Sequence, residues 1–196
     1  MLNQAAMSEV SNPCRVACVT GGAKRIGRAL VLALHQANYN IIIHYHTSES
    51  EAIELVDYCN AIRPQSAKSV QGDLEDFETL PQLTWQIINS FGRLDCLVHN
   101  ASRFYTTPFG QISQQDWQNL FLTNAQTPLF ISQYLYPYLK KSQGCIISIL
   151  DIHANGKPFG GYTVYNMAKA AHQMMVQSLA IELAPDIRVN GIAPGI

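Results

Sequence analysis

Residues 15–27 of this chain read RVACVTGGAKRIG and decide how the rest is interpreted. The first part is a short apolar run of strand length, and the second is a glycine-rich turn that leads into a helical pattern starting at Lys24. In such a strand–turn–helix unit, small residues let backbone N–H groups approach a phosphate, and the helix N-terminus adds partial positive charge. The stretch therefore predicts a turn that binds a dinucleotide pyrophosphate. The alternative is an ordinary turn without a ligand.

Strand-length apolar runs alternate with segments of helical period along the rest of the chain. The predicted strands are residues 15–20, 40–45, 67–71, 94–99, 145–150 and 187–192. The predicted helices are residues 24–38, 49–62, 80–91, 114–139 (interrupted near Pro128 and Pro137) and 162–183. Continuous apolar strands indicate a sheet that helices cover on both faces. We therefore predict an α/β fold, a Rossmann-like doubly wound parallel sheet, with ligands at the carboxyl ends of its strands.

The composition excludes some broad classes of protein. The chain has 196 residues, of which 47% are hydrophobic and 14% charged, with 13 Lys and Arg against 14 Asp and Glu. This content excludes disorder as the dominant state, and the balanced charge disfavours a nucleic-acid or anionic-membrane partner. At roughly 150 residues per domain, we expect one domain over residues 14–196, preceded by a flexible lead-in over residues 1–13.

The sequence shows no sign of a metal centre or of export. Its apolar runs are strand-sized, and residues 1–13 lack the basic and apolar regions of a secretory signal. The five cysteines form no C-x-x-C pair, and the histidines form no H-x-x-x-H pair. A Gly-x-Ser-x-Gly elbow is missing too, which disfavours a serine hydrolase. We therefore expect a cytoplasmic protein with reduced cysteines and without a bound metal.

The end of the second predicted strand bears on the choice of cofactor. Residues 44–48 read HYHTS, so there is no carboxylate before Glu49. An acidic residue here would bind a ribose 2′-hydroxyl and repel a 2′-phosphate. With Lys24 and Arg25 in the glycine-rich turn, the pattern favours NADP(H). The alternative is that Thr47 or Ser48 simply caps the next helix.

A tyrosine and a lysine in the last predicted helix could carry out acid–base chemistry. Tyr165 and Lys169 are four residues apart and therefore share one helix face. A nearby ammonium stabilises phenolate, so we expect Lys169 to lower the pKa of Tyr165. Asp151 ends the fifth strand and can reach the same cleft. Asn124 is the next polar candidate, as either a surface residue or one that binds backbone or water.

Together these motifs resemble the short-chain dehydrogenase/reductase family. The shared residues are Thr20-Gly21 and Gly27, Asp73-Leu74, Asn100-Ala101-Ser102, Asn124, Tyr165-Asn166-Met167-Ala168-Lys169, Arg188-Val189-Asn190-Gly191 and Pro194-Gly195. A finer similarity is to the pteridine reductase branch. That branch resembles this chain in an arginine at Arg25, in the triplet at residues 44–46 and in the run NASRFYTTP at residues 100–108. It also has an aspartate, here Asp151, where most of the family has the catalytic serine.

The resemblance implies an NADPH-dependent reductase of a pterin or dihydrofolate-type substrate, with Tyr165 and Asp151 relaying the proton. The implied catalytic residues are Asp151, Tyr165, Lys169 and Asn124. The implied cofactor-binding residues are Gly21, Lys24, Arg25, Ile26, Gly27, His46, Thr47, Ser48, Asp73, Leu74, Asn100, Ala101, Lys169, Pro194 and Gly195. The implied substrate-binding residues are Arg25, Ser102, Phe104 and Tyr165, with the pterin ring stacked between Phe104 and the nicotinamide and Arg103 as a further donor.

The sequence departs from the family pattern in two places, and two alternative functions stay open. Thr47 stands where some relatives have an arginine that supports the 2′-phosphate, and the chain stops at Ile196. The family continues with a substrate-covering loop, a helix and a last strand, which the chain is therefore expected to lack. The alternatives are a broad carbonyl or 3-oxoacyl reductase and a non-catalytic NADP-binding partner subunit.

The apolar helices at residues 114–139 and 162–183 predict a homodimer or homotetramer.

Overall fold

The computed structural model describes residues 14–154 and 156–195, so the expected lead-in at residues 1–13 lies outside the described residues. Its sheet has six parallel strands in the order β3-β2-β1-β4-β5-β6. The strands are β1 (Val16–Val19), β2 (Asn40–Tyr45), β3 (Ala67–Gln71), β4 (Cys96–His99), β5 (Cys145–Ile149) and β6 (Arg188–Ile192). The chain winds outward from β1 to β3 and then returns to β4 beside β1. The doubly wound prediction is confirmed, and its switch point lies between β1 and β4.

Helices cover both faces of this sheet. They are α1 (Arg25–Gln36), α2 (Glu49–Ile62), α3 (Leu80–Phe91), α4 (Gln114–Phe121), α5 (Thr127–Ser142) and α6 (Thr163–Glu182). Alternate residues of β1 point to opposite faces, since Val16 and Cys18 belong to one apolar core and Ala17 and Val19 to the other. The first core packs against α3, α5 and α6, and the second packs against α1 and α2. Two buried layers thus hold the carboxyl ends of β1, β4 and β5 in fixed relative positions.

The helix predicted over residues 114–139, with interruptions near Pro128 and Pro137, is interrupted just before Pro128 and not at Pro137. The chain forms two helices, α4 and α5, joined by a π-helical turn at Leu122–Gln126, and Asn124 lies in this turn. Pro128 is in the first turn of α5, where its missing N–H costs nothing. Pro137 lies inside α5 without ending it, because Leu135 and Leu139 on either side are packed in the core.

The cysteines of the structure are all free thiols. Cys18, Cys59, Cys96 and Cys145 are buried, and Cys14 is exposed. Within residues 14–154 and 156–195, no helix combines the length and the apolar content needed to cross a membrane.

Candidate active site

A cleft of about 390 Å³ opens at the carboxyl end of β1, beside the switch point of the sheet. It is lined by Gly21, Ala23, Lys24, Arg25, Ile26, Gly27, Tyr45, His46, Thr47, Ser48, Asn100, Ala101 and Ser102. Most of the residues expected to bind the cofactor therefore lie around one cavity, although they come from three separate segments of the chain.

The remaining predicted cofactor residues lie outside this lining. Asp73 reaches its edge through His46, with Oδ2 and Nε2 3.5 Å apart. The Leu74 side chain packs into the core, and Pro194 and Gly195 are exposed beyond β6. The structure therefore does not bring the last two residues to the cleft.

The glycine-rich turn is packed too tightly for side chains at two positions. Gly21 has φ of +60°, a conformation that favours glycine. A Cβ at Gly27 would lie 2.2 Å from the Gly21 carbonyl oxygen and 2.7 Å from Nδ2 of Asn100. That amide donates to the carbonyls of Thr20 and Gly21 at 2.9 and 3.0 Å. Because neither glycine has a side chain, the backbone of the turn stays open to a ligand.

Thr20 and His44 hold this turn in place through hydrogen bonds, and neither role was predicted from the sequence. Oγ1 of Thr20 accepts from the backbone N–H groups of Asn100 and Ala101 at 3.0 and 3.1 Å. Nδ1 of His44 accepts from the Gly21 N–H at 3.1 Å, so Nε2–H donates to the Gly72 carbonyl at 3.2 Å. Burial lowers the pKa of His44 to about 4, which keeps the ring neutral in this role. In the sequence, the HYH triplet at residues 44–46 was the signal that could have pointed to the role of His44.

The N-terminus of α1 faces the cleft with its donors free. Lys24 precedes the helix without a side-chain capping hydrogen bond, and the first turn of α1 contains no acidic residue. Unsatisfied N–H groups and the helix dipole favour an anion at this place. Nζ of Lys24, however, pairs with Oε1 of Glu51 at 2.6 Å. The cation predicted to face a 2′-phosphate is therefore already paired with a carboxylate from α2.

The predicted catalytic side chains meet at the carboxyl end of β5. The Tyr165 hydroxyl donates to Oδ2 of Asp151 at 2.6 Å. Nζ of Lys169 donates to the Ile149 carbonyl at 3.0 Å, and the lysine is only 3% exposed. The last residue of β5 thus supplies the carbonyl and the segment just after the strand supplies the carboxylate, while α6 supplies the phenol and the ammonium.

The electrostatics of this group correct one expectation. Burial, followed by the Asp151 carboxylate, raises the pKa of Tyr165 above its ordinary value. The net lowering expected from Lys169 is not found, because burial and Asp151 prevail and Nζ of Lys169 lies 6.0 Å from the centre of the Tyr165 ring. Burial lowers the pKa of Lys169 to about 8, against the opposing effect of Asp151. Tyr165 therefore holds its proton firmly until an acceptor arrives.

Asn124 is a buried residue that orders the loop after β4. Its Oδ1 accepts from Oγ of Ser102 at 2.7 Å, and its Nδ2 donates to the carbonyls of Arg103 and Leu120 at 2.9 and 3.0 Å. Of the two alternatives left open, backbone binding is confirmed and a surface location is wrong. Asn124 is therefore a positioning residue for the loop that borders Tyr165.

Phe104 extends beside the catalytic pair from the same loop. Its ring stacks on Tyr162 with centroids 4.6 Å apart and meets the edge of Tyr165 at 4.8 Å. It remains 52% exposed. Nε of Arg103, the expected further donor, pairs with Oε1 of Glu75 at 2.7 Å. Phe104 thus presents an aromatic surface next to the proton-bearing hydroxyl.

The described parts of the chain hold no group of three or more His, Cys, Asp or Glu side chains that could bind a metal ion. The chemistry that these residues can perform themselves is transfer of the Tyr165 proton.

The fold and the cleft define a class of protein that a family comparison also finds. Residues 15–196 match the model of the short-chain dehydrogenases, and the chain belongs to that family. Membership implies a nicotinamide cofactor. Within the family, the chain is pteridine reductase-like: it is 35% identical to pteridine reductase 1 of Leishmania tarentolae, over 92% of this chain and 76% of that protein.

Other relatives lie outside this branch. The chain is 29% identical to the hydroxynaphthalene reductase-like protein Arp2 of Metarhizium anisopliae, over 92% of this chain and 67% of that protein. It is 28% identical to the protein of the same name from Metarhizium robertsii over the same shares. The family is thus shown by several relatives that are named as reductases.

Proposed function

We propose that this protein is an NADPH-dependent reductase of pterin or dihydrofolate-type substrates. The observation that carries the proposal is the 2.6 Å hydrogen bond between Tyr165 and Asp151 at the end of β5. Most of the family is expected to have a serine at this place, and the pteridine reductase branch an aspartate. The similarity to pteridine reductase 1 supports the same substrate class.

The cleft fits a dinucleotide. Gly27 leaves no space for a Cβ, and the free N–H groups at the start of α1 suit the pyrophosphate. Thr47 and Ser48 lie at the start of α2, where hydroxyls and backbone N–H groups suit a 2′-phosphate, with Arg25 as the nearby cation. When bound, the nicotinamide supplies a hydride to the substrate. No carboxylate of residues 44–48 opposes a 2′-phosphate, so we propose NADPH.

The side chains of the site then manage one proton. The Tyr165 hydroxyl gives its proton to the substrate atom next to the carbon that is reduced. The phenolate left behind is stabilised by the Lys169 ammonium, which the Ile149 carbonyl holds in place. Asp151 accepts the hydrogen bond of the phenol beforehand and so fixes its orientation. Tyr165 and Lys169 are both buried, which strengthens the interaction between phenolate and ammonium.

The first prediction concerns substrate and cofactor together. The protein should be assayed with dihydropterins, dihydrofolate, small ketones and a 3-oxoacyl thioester, and we expect it to reduce a dihydropterin or dihydrofolate. The kcat/KM for NADPH should be at least about tenfold above that for NADH, because one favourable charge contact has an effect of this size. Arg25→Gly should shrink this ratio, because it removes a charge at a residue with φ of +49°, where glycine introduces no strain. Arg28→Gly, further along α1 and outside the lining, is the control for a glycine in this helix. Equal kcat/KM for the two cofactors would refute the NADPH assignment.

A second prediction concerns Phe104. In Phe104→Ala, the KM for a dihydropterin should rise about tenfold or more. The reason is that an offset aromatic stack contributes about 0.5–1.5 kcal/mol in addition to apolar burial. The KM for a small aliphatic ketone should change far less. Phe109→Ala is the matched control, because Phe109 lies five residues further along and is 92% exposed. A dihydropterin KM unchanged in Phe104→Ala would contradict the stacking role.

A carbonyl reductase is the second candidate, favoured by the hydroxynaphthalene reductase-like relatives. The same Tyr165 proton would then go to a ketone oxygen. Rapid reduction of ketones or of the 3-oxoacyl thioester, with no turnover of dihydropterin or dihydrofolate, would establish this function instead.

We also propose a homo-oligomer formed through α4, α5 and α6. Large apolar side chains are exposed along these helices: Trp117, Leu129, Tyr138, Met167, Met174 and Ile181. Large apolar side chains exposed together on neighbouring helices are typical of an interaction site. Light scattering should give the mass of a homodimer or homotetramer, and Met174→Glu should lower it towards one subunit. Ile62→Glu, at an exposed apolar residue of α2, should leave the mass unchanged. A wild-type mass of one subunit would contradict the proposal.

A further inference from the structure

The loop after β4 has no backbone framework of its own. Residues 101–106, which we call the substrate loop, contain Ser102 of the cleft lining and the exposed ring of Phe104. None of their backbone groups bonds to another backbone group among the residues that the structure describes. Side chains from other parts of the chain therefore hold this loop, and its order depends on those contacts.

Two side chains connect the substrate loop to the π-helical turn. Asn124, in that turn, binds Oγ of Ser102 and both the N–H and the carbonyl of Arg103. The other side chain is Glu75, for which no role was predicted from the sequence. Its Oε1 accepts from Nε of Arg103 at 2.7 Å and from Oγ1 of Thr123 at 3.0 Å. Because Thr123 directly precedes Asn124, the two connections span the same gap.

The backbone that carries Glu75 is itself fixed. The Glu75 N–H donates to Oδ1 of Asp73 at 2.9 Å. The Leu74 carbonyl accepts from Oγ1 of Thr127, the first residue of α5, at 2.7 Å, and the Leu74 side chain packs in the first core. Glu75 therefore offers Arg103 a carboxylate on a rigid support, which lowers the entropy cost of ordering the long arginine side chain.

The pair between Arg103 and Glu75 is partly open to water. The two side chains are 40% and 26% exposed, so water and salt screen their attraction, and a pair of this kind adds little to global stability. Its hydrogen bond is charge-assisted, which makes it roughly twice as strong as a neutral one. Loss of the pair should therefore loosen the substrate loop locally without unfolding the chain.

We propose that Glu75 is a positioning residue of the substrate site: its carboxylate fixes the substrate loop through Arg103 and so presents Ser102 and Phe104 to a pterin. The effect on substrate binding rests on the proposed function, whereas the ordering of the loop does not. If Arg103 were instead a direct donor to the substrate, a guanidinium released from Glu75 would bind the pterin better, which is the opposite result.

The first test measures the loop itself and needs no substrate. Hydrogen–deuterium exchange of the full chain, followed by mass spectrometry, reports on peptides that span residues 101–106. Glu75→Leu removes both hydrogen bonds at similar side-chain size, so the Arg103 N–H should leave Asn124 more often and exchange in this segment should become about fivefold faster. Glu75→Gln retains an oxygen that accepts from both donors and should lie between wild type and leucine. Unchanged exchange in Glu75→Leu would overturn the proposal.

The second test connects the loop to substrate binding. In Glu75→Leu the KM for a dihydropterin should rise about fivefold, while kcat stays within about twofold and the NADPH Kd within about threefold of wild type. The kcat is spared because the bond between Tyr165 and Asp151 does not involve the loop. The Kd is spared because Asp73 bonds to the Glu75 backbone, which the variant retains. An unchanged or lower KM in Glu75→Leu would refute the positioning role.

A double-mutant cycle identifies the partner of Glu75. Arg103→Leu should raise the dihydropterin KM by a similar factor, and the Glu75→Leu, Arg103→Leu double variant should be no worse than either single variant, because both changes remove the same contact. Additive increases in KM would show that the two residues act separately and would contradict the proposal.

The chain offers a matched ion pair at the other end of the sheet. Nζ of Lys140, near the end of α5, lies 2.8 Å from Oδ2 of Asp186, just before β6, and these side chains are 52% and 42% exposed. Asp186→Leu should lower Tm about as little as Glu75→Leu and leave the KM and the exchange of residues 101–106 unchanged. A matching rise in KM would show a general effect and overturn the proposal. If wild type reduces ketones and no pterin, or reduces nothing, the proposed function fails and the exchange of the substrate loop alone decides the role of Glu75.

Discussion

Replacing Tyr165 with phenylalanine is expected to lower kcat by about 10²–10⁴-fold, the range typical for loss of a general acid. The phenyl ring preserves the packing of Tyr165 against Leu120 and Val164, so only the hydroxyl is lost. Because the phenol proton is needed in the reaction and not for cofactor binding, the loss should fall on kcat. Steady-state kinetics and NADPH binding, followed by nucleotide fluorescence, check both statements. The Kd for NADPH should stay within about threefold of wild type.

A neighbouring tyrosine provides the control for this prediction. Tyr105 packs against the same small cluster of Leu120, Val164 and Tyr165, but its hydroxyl points to the Asp116 carbonyl at 3.5 Å. Tyr105→Phe therefore removes a hydroxyl nearby without touching the bond to Asp151, and its kcat should remain near that of wild type. Normal turnover by Tyr165→Phe would remove the tyrosine from the mechanism and leave Asp151 as the proton donor to be tested.

The fold was largely predictable from the sequence because its signals are local. The bounds of α2 and α3 agree with the prediction, since Pro64 follows the first and Gly92, with φ of +73°, ends the second. The continuous apolar strands indicated a sheet buried on both faces, and this is the arrangement found. Local periodicity and stop signals carry such information without any knowledge of distant contacts.

The π-helical turn could not be predicted from such local sequence signals. Leucine, threonine and alanine around Asn124 have ordinary helical character. What stabilises the turn is the buried Asn124 side chain, which bonds to the loop at Ser102 and Arg103, more than twenty residues earlier in the chain. Pro128 signalled a break, but only the long-range contacts show where the backbone widens.

The sequence predicted which residues form the candidate site better than it predicted their ion pairs and pKa values. Spacing alone suggested that Asp151 and Tyr165 share a cleft, and they form a hydrogen bond. Spacing could not reveal that Lys24 pairs with Glu51, because that contact depends on how α1 and α2 lie side by side. Likewise, the pKa of Tyr165 is governed first by burial, which a four-residue separation from Lys169 does not show.

The largest effect on cofactor binding is expected at Gly27. Its Cβ in a Gly27→Ala variant would lie 2.2 Å from the Gly21 carbonyl oxygen and 2.9 Å from Cα of Gly22. Both contacts are backbone atoms of the phosphate turn, so the turn must open instead of a side chain rotating away. We expect the Kd for NADPH to rise about 100-fold or more, because the backbone N–H groups must approach the pyrophosphate closely. Titration calorimetry on the folded protein measures this change.

A crowded glycine at the other end of the sheet separates this effect from general loss of stability. A Cβ at Gly144 would lie 2.6 Å from the Asp95 carbonyl oxygen, just before the amino end of β5 and away from the cleft. Gly144→Ala should therefore lower Tm, as Gly27→Ala does, while its folded molecules bind NADPH with the wild-type Kd. If Gly27→Ala also bound NADPH normally, the turn at residues 20–27 would not be the pyrophosphate site. A dinucleotide would then have to bind elsewhere along the carboxyl ends of the strands, and the Tyr165 proton would no longer lie beside the reduced carbon.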